Sequence, residues 1–188
     1  MQTIVGNTIS GTAGVMIAVS TASYVKGNVI TQNTSGGTSH AIQVDSDCKV
    51  LDNAISNKTS HPDVGIAAKN LNLISGNTIT GFIVGIRAGD SNVVTGNSAS
   101  NNFSGIDCAS GCLVNNNTAN NNSGSSSTEG GIIAGQQSQV IDNVAKGNIG
   151  QGIGVTCPSK VADNTALSNF TNLSETGTGC LTTGNLAP

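Results

Sequence analysis

An asparagine that recurs nine times along the chain constrains its fold more than any other feature. A valine or isoleucine stands three positions before it in eight of the copies, and seven copies have an isoleucine eleven positions before it. The asparagines are Asn7, Asn28, Asn53, Asn77, Asn97, Asn117, Asn143, Asn164 and Asn185. The isoleucines are Ile17, Ile42, Ile66, Ile86, Ile106, Ile132 and Ile153. Random polar sequence would not keep seven intervals of eleven residues, so the chain is built from repeats.

Each repeat has a half of fixed length and a half of variable length. Successive asparagines lie 20 to 26 residues apart, and the segment from an asparagine to the next isoleucine varies from 9 to 15 residues. Alternating apolar residues in the fixed half, as around Ile66, have the period of a β-strand. Coils with three short strands would stack in parallel with like residues about 4.8 Å apart. Isoleucine over isoleucine would then form a core that no single coil could bury.

The asparagines have a separate part in this fold. Asparagine stacked on asparagine can form a hydrogen-bonded ladder inside a corner of the coils. The residue just before each one is Gly, Asp or Asn, types that tolerate the left-handed backbone of a tight bend. Leucine-rich repeats would need more leucine, and hexapeptide helices need coil lengths in multiples of six. The sequence therefore predicts an all-β parallel solenoid of about nine coils, with residues 1–188 in a single domain.

Composition excludes several classes of function. Charged residues are only 9% of the chain, the net charge is −3, and Lys and Arg together number seven. A nucleic-acid-binding protein would show a basic stripe, so we expect no nucleic-acid partner. No apolar run is long enough to span a membrane, and the opening residues do not read as a signal peptide. The sequence indicates no cofactor, and without a CxxC motif, and with His40 and His61 in different coils, we expect no metal site.

The repeat units point to a known family. The Gly-Asn-x-Ile unit at Gly76, the Gly-Ile unit at Gly85, the fixed eleven-residue half and the nine-step ladder resemble the right-handed parallel β-helices of the pectate-lyase-like superfamily. The resemblance covers nearly the whole chain and implies a right-handed helix. It also implies an extracellular, cell-surface or virion location, and a site, if the chain is an enzyme, on the outward face of the Gly-Ile strands.

That outward face carries the candidate functional residues. Arg87 and Asp107 should be neighbours on adjacent coils, and so should Asp45 and Lys69, with Gln43 on the same face. A polysaccharide lyase needs a basic side chain to remove a proton and a charge to stabilise the anion. Arg87 or Lys69 could serve, with His61 or Asp63 reaching in from a loop. The alternative is that both pairs are exposed ion pairs that contribute little to stability.

Glycoside hydrolysis is less compatible with this face. It requires two carboxylates within about 5–10 Å, whereas Asp45 and Asp107 should be about 14 Å apart across three coils. Phe82 and Phe103 lie in variable segments of adjacent coils and either stack on a sugar or fill a corner of the solenoid. A glycine precedes most of the isoleucines, which either relieves crowding or lets a ligand approach.

Cysteine spacing leaves the disulfide pairing open. Cys48, Cys112 and Cys180 stand five positions before their asparagines, where other coils have Ser or Asn. Cys108 and Cys112 bracket one corner, while Cys157 and Cys180 lie on adjacent coils. Either pair could form a bridge, and the alternative is buried free thiols.

Two functions follow from these patterns, and we favour the first. The first is a non-catalytic extracellular or virion-surface module that acts as a rigid spacer or contacts carbohydrate. The second is a small polysaccharide-active enzyme: a lyase, hydrolase or epimerase.

The terminal coils lack an evident cap, which leaves three alternatives. The chain would be a fragment of something larger, or a subunit that stacks end to end or forms a homo-oligomer. Otherwise an irregular segment, such as residues 168–179, would fold over an end.

Overall fold

The protein is a stack of β-coils. The computed structural model describes residues 1–12, 14–33, 39–59, 64–126 and 128–188, and within these ranges the chain forms strands and no helix. All of the strand pairs are parallel, and each strand pairs with its copies in neighbouring coils. This confirms the predicted all-β parallel solenoid. In the part of the chain that the structure describes, no helix has the length and apolarity to cross a membrane.

The first sheet contains the Gly-Ile strands and has eight members. Its register places the seven repeat isoleucines in one buried column, which continues at Leu173. Its strands are β3 (Val15–Val19), β6 (His40–Val44), β9 (Val64–Ala68), β12 (Val84–Ala88), β15 (Ser104–Cys108), β17 (Gly130–Ala134), β20 (Gln151–Thr156) and β23 (Thr171–Thr176). Because β23 is a regular member of this sheet, residues 168–179 do not fold over the end of the stack, which was one of the sequence-based alternatives.

The second sheet has nine strands and carries the β-branched residue that precedes each asparagine. Its central residues form a column of buried valines and isoleucines, such as Val94 on Ile74. Its strands are β1 (Thr3–Val5), β4 (Tyr24–Lys26), β7 (Lys49–Leu51), β10 (Leu73–Ser75), β13 (Val93–Thr95), β16 (Leu113–Asn115), β18 (Gln139–Ile141), β21 (Lys160–Ala162) and β24 (Leu181–Thr183).

The third sheet follows each asparagine and is interrupted once. Five strands pair continuously, and two more form a separate pair that isolated bridges through Thr118 join to the rest. Its inward column changes from Ile in the early coils to Ala in the later ones. Its strands are β2 (Thr8–Gly11), β5 (Val29–Gln32), β8 (Ala54–Asn57), β11 (Thr78–Thr80), β14 (Ser98–Ala99), β19 (Val144–Lys146) and β22 (Thr165–Leu167).

Three corners separate the sheets. We call the corner between the first and second sheets the first corner, that at the repeat asparagine the second corner, and that five residues later the third corner. Most of the described corners turn through a left-handed residue, such as Ser91, Gly96 and Asn101 in one coil. A small or polar side chain follows that residue in most coils and points into the stack.

The second corner holds the predicted asparagine ladder, which the structure confirms. From Asn7 to Asn164, each asparagine donates both its backbone N–H and its Nδ2–H to the Oδ1 atom of the next, over 2.9–3.0 Å. The Nδ2 atoms also donate to carbonyl oxygens of the preceding coil, as Asn97 does to Ile74. These bonds satisfy the buried backbone of the bend.

A second asparagine ladder runs through the third corner, and the sequence analysis did not predict it. Its members are Asn102, Asn122, Asn148 and Asn169. The backbone N–H of each one donates to the Oδ1 atom of the next over 2.9–3.0 Å. In the preceding coil Phe82 takes this position, is 1% exposed, and donates its N–H to Asn102. Phe82 therefore fills the corner, as one of the two sequence-based alternatives proposed. The missed signal was an asparagine five positions after the repeat asparagine in five coils, four of them consecutive.

The glycines before the isoleucines are explained by packing between coils. A Cβ atom added to Gly65, Gly85, Gly105, Gly131 or Gly152 would come within 2.4–2.7 Å of a backbone oxygen of the next coil. No side chain fits at such a distance, so these positions relieve crowding. The row needs no ligand to account for it.

Both of the disulfides left open by the sequence form. Cys108 bonds to Cys112 and Cys157 bonds to Cys180, while Cys48 is a buried free thiol. Cys112 and Cys180 occupy the first corner, at the position taken elsewhere by serine or asparagine. The alternative of free thiols is therefore wrong for four of the five cysteines.

Candidate functional site

The first sheet presents its predicted polar residues outward, on neighbouring strands. Strand pleating sends successive side chains to opposite faces of the sheet. Because the repeat isoleucines point inward, the residue after each of them points outward. Arg87 on β12 pairs directly with Asp107 on β15, and Gln43 on β6 pairs with Ala67 on β9. The backbone N–H groups of Asp45 and Lys69, just beyond β6 and β9, continue the ladder to Val19 and Val44. We call Gln43, Asp45, Lys69, Arg87 and Asp107 the charged band.

The Arg87–Asp107 pair is an open contact. The Nε atom of Arg87 lies 3.9 Å from the Oδ2 atom of Asp107, and the side chains are 52% and 44% exposed. Partial burial raises the pKa of the Asp107 carboxyl above its ordinary value, and the Arg87 charge opposes this rise without cancelling it. The carboxylate is therefore less well stabilised here than in water, although an arginine stands beside it.

The Asp45–Lys69 pair is the closer contact of the two. The Nζ atom of Lys69 lies 2.7 Å from the Oδ1 atom of Asp45, and both side chains are substantially exposed. A shallow depression lined by Gln43, Lys69 and Arg87 lies between the two ion pairs, with Ala67 and Ala68 as its apolar floor. The structure therefore brings together all five residues of the charged band.

Two further sequence-based candidates cannot be placed relative to this band. His61 and Asp63 lie outside the described residues, so their predicted contribution from the loop stays a prediction. Within the described residues, the two basic side chains of the band each have a carboxylate partner. A lyase base would have to leave such a partner before it could accept a proton.

The later coils of the same sheet form a second, uncharged depression that the sequence analysis did not identify. It is lined by hydroxyl and amide side chains, including Gln151, Thr156 and Ser174, around Ile133 and Gly154. Ile133, Gly154 and Ser174 continue the outward column of Arg87 and Asp107 into the later coils. The signal in the sequence was the replacement of charged residues by Thr and Ser at the outward positions of these coils.

The structure places one set of metal-ligand atoms close together among the residues it describes. Atoms of Cys157, Glu175 and Cys180 lie within 4.8 Å of one another. The two sulfur atoms are bonded to each other, so neither is a thiolate that could bind a metal ion. A lone, exposed carboxylate is left, which is not a metal site.

Comparison with known proteins addresses the fold and leaves the activity open. The model of a family described as right handed beta helix region matches residues 1–141 of the 188 residues. Neither a curated protein nor a solved structure matches the chain. The family match spans well over half of the chain and agrees with its parallel coils and stacked asparagines. The protein therefore belongs to the right-handed β-helix family.

Proposed function

We propose that this protein is a non-catalytic extracellular or virion-surface module of the pectate-lyase-like type, whose rigid rod contacts carbohydrate through the first sheet. Nine coils at the parallel-strand spacing make a rod of about 40 Å. The side-chain ladders fix its corners, so a ligand would meet a surface that needs little ordering. The charged band and the uncharged depression lie along one side of this rod, where an extended polymer could contact both.

One observation carries the non-catalytic part of the proposal: every charge of the band is already paired within it. Lys69 pairs with Asp45, and Arg87 pairs with Asp107. Catalysis requires a group whose proton affinity or charge is directed at the substrate. Asp45 and Asp107 are three strands apart, about 14 Å, beyond the separation that glycoside hydrolysis uses. Paired charges on a shallow surface are better suited to holding a polar ligand than to transforming it.

Asp107 favours the second candidate function, a polysaccharide lyase or epimerase. Its raised pKa beside an exposed arginine is a feature that acid–base sites share. In this case Arg87 would neutralise a substrate carboxylate while Asp107 transferred a proton. The same raised pKa also follows from partial burial alone, so it does not outweigh the pairing of the charges.

Incubation with uronic-acid polysaccharides tests both candidates. The intact protein is mixed with polygalacturonate and alginate at neutral pH, and binding is measured by affinity gel electrophoresis. Ultraviolet absorbance of unsaturated uronates measures lyase turnover, and NMR of the recovered polymer detects epimerisation. We expect binding that Arg87→Ala weakens, with no turnover. Turnover that Arg87→Ala abolishes would establish the enzyme, and absence of both binding and turnover would refute a role for the band.

A further inference from the structure

A notch on the third corner, away from the charged band, is formed by the lengths of four consecutive coils. In the coils of Asn77 and Asn97, four residues lead from the third corner to the next isoleucine of the first sheet. The coil before them needs eight residues for this connection and the coil after them needs ten. Two short coils thus lie between two long ones, and the gap is about two strand spacings, or roughly 10 Å, wide. Thr59 borders it on one side and Ser123 on the other.

The aromatic residues of the notch are fixed in place. Phe82 and Phe103 both line it, although the whole chain has only four aromatic residues. Phe82 is the buried floor, and its carbonyl oxygen accepts the backbone N–H of Phe103 over 2.8 Å. Phe103 is only partly buried. Its ring lies against Gly124, because a Cβ atom added to Gly124 would be 3.3 Å from the Cδ1 atom of Phe103. One ring therefore supports the corner while the next offers a partly exposed aromatic surface.

Two carboxamides stand on the rim of the notch. Asn101 and Asn121 are exposed, are in the left-handed conformation, and lie on adjacent coils. Their backbone N–H groups donate to Asn120 and Lys146, which holds both residues in the corner. Among the residues that the structure describes, neither carboxamide has a hydrogen-bond partner. Each offers two donors and an acceptor to a ligand.

We propose that this notch binds a neutral sugar unit. A pyranose ring has an apolar C–H face that can pack on an aromatic ring and hydroxyl groups around its edge that can bond to carboxamides. None of the described residues that line the notch is charged, so among them there is no counter-ion for a uronate or a phosphate. An aromatic surface with a few polar groups around it is typical of small ligand sites. The proposal is independent of the charged band, which faces outward from the first sheet.

A single-tryptophan reporter provides the direct test, because the chain contains no tryptophan. The Phe103→Trp variant is titrated with cellohexaose, maltohexaose and mannohexaose, and hexagalacturonate serves as the acidic comparison. We expect a saturable fluorescence change with at least one neutral hexasaccharide and none with hexagalacturonate. Phe170→Trp is the matched control, since Phe170 is 87% exposed and lies outside the notch. Its fluorescence should not respond.

Calorimetry on unlabelled proteins completes the test. Relative to the parent, Phe103→Ala should weaken binding of the same hexasaccharide at least tenfold, and Asn101→Ala severalfold, whereas Arg87→Ala should leave it unchanged. Phe103→Leu keeps apolar volume without the aromatic face, so it separates lost stacking from a disturbed fold and should also weaken binding. Failure of all three neutral hexasaccharides to bind, or parental affinity in Phe103→Leu, would overturn the proposal. Either result would leave the function proposed for the charged band intact.

Discussion

The first and second corners share a left-handed backbone conformation in most coils but have different residues. At the second corner the left-handed residue is Gly, Asp or Asn in all nine coils. At the first corner the left-handed residues are Ala22, Asp47, Leu71, Ser91, Gly111, Gln137 and Gly179, and the coil of Pro158 has none. Left-handed backbone disfavours most of the latter types by about 1–2 kcal/mol. The second corner is thus selected by local preference, whereas neighbouring coils impose the first.

The hydrogen bonds of the two corners explain this difference. Asn97 donates through Nδ2 to Ile74, Thr95 and Asn117, and its Oδ1 accepts two N–H groups of Asn77. At the first corner, carboxamides accept backbone N–H groups at Asn72 and Asn92, while the Ser138 hydroxyl accepts one N–H group, that of Cys112. Both disulfides of the chain also involve first-corner positions, Cys112 and Cys180. Covalent bonds therefore reinforce the corner that has the weaker ladder.

The largest expected effect is that of Asn97→Ala. It removes five side-chain hydrogen bonds and leaves the buried backbone N–H of Asn77 without an acceptor, and an unsatisfied buried group alone costs about 1–3 kcal/mol. We expect a loss of about 3 kcal/mol or more in the free energy of unfolding, measured by urea denaturation. Ser138→Ala at the first corner should cost about 1 kcal/mol, because only one bond is lost. Exposed Ser91→Ala is the control and should change almost nothing. Equal midpoints for Asn97→Ala and Ser91→Ala would refute the ladder as a stabilising element.

Removal of the two disulfides should have unequal effects. The Cys157–Cys180 bridge spans 23 residues and the Cys108–Cys112 bridge spans four. Loop-closure entropy then gives about 3 kcal/mol for the first bridge and about 2 kcal/mol for the second. Paired Cys→Ser variants, compared by denaturation without reductant, measure the two contributions. A larger loss for the Cys108–Cys112 bridge would show that local geometry at the first corner outweighs chain entropy.

Reciprocal changes at the left-handed positions test the local preference itself. Leu71 is left-handed and 58% exposed, so Leu71→Asn should raise stability by up to about 1 kcal/mol. Gly96 is also left-handed, and an added Cβ atom there would touch nothing closer than 3.9 Å. Gly96→Ala should therefore lower stability by about 1 kcal/mol through backbone conformation alone. Thermal unfolding of both variants checks the signs, and two changes of the same sign would contradict the comparison.

The same comparison explains how much of the fold the sequence could predict. The second corner was readable because Asn and its preceding Gly, Asp or Asn recur together, and the eleven-residue spacing then fixed the register of Arg87 on Asp107. The third-corner ladder was missed because its four asparagines lie beside variable loops, and Phe82 interrupts the series. No residue type marks the first corner, since Leu71 and Gln137 are not turn residues. There, only the finished stack determines the backbone.

The candidate site was predictable to a lesser extent. Period-two alternation placed Gln43, Arg87 and Asp107 outside, because the isoleucine column fixes the inner face. The closeness of Lys69 to Asp45 also followed from the spacing of the coils. The notch could not be predicted, since it depends on how loops of different length project from adjacent coils. The raised pKa of Asp107 depends on the depth of its burial, which spacing alone does not give.

The smallest expected effect concerns the charged band, which no ladder supports. Arg87 and Asp107 are about half exposed, so Arg87→Ala should change the free energy of unfolding by less than about 1 kcal/mol.

The raised pKa of Asp107 means that the folded state holds the proton of this carboxyl group more tightly than the unfolded state does. Stability should therefore fall slightly as the pH rises from the ordinary value of 3.8 through the raised pKa. Asp107→Asn removes this effect, so it should be slightly more stable than the parent at neutral pH and equal to it below pH 3.8. Denaturation midpoints across this range measure the difference, and a variant less stable than the parent at neutral pH would show that the ion pair outweighs the burial.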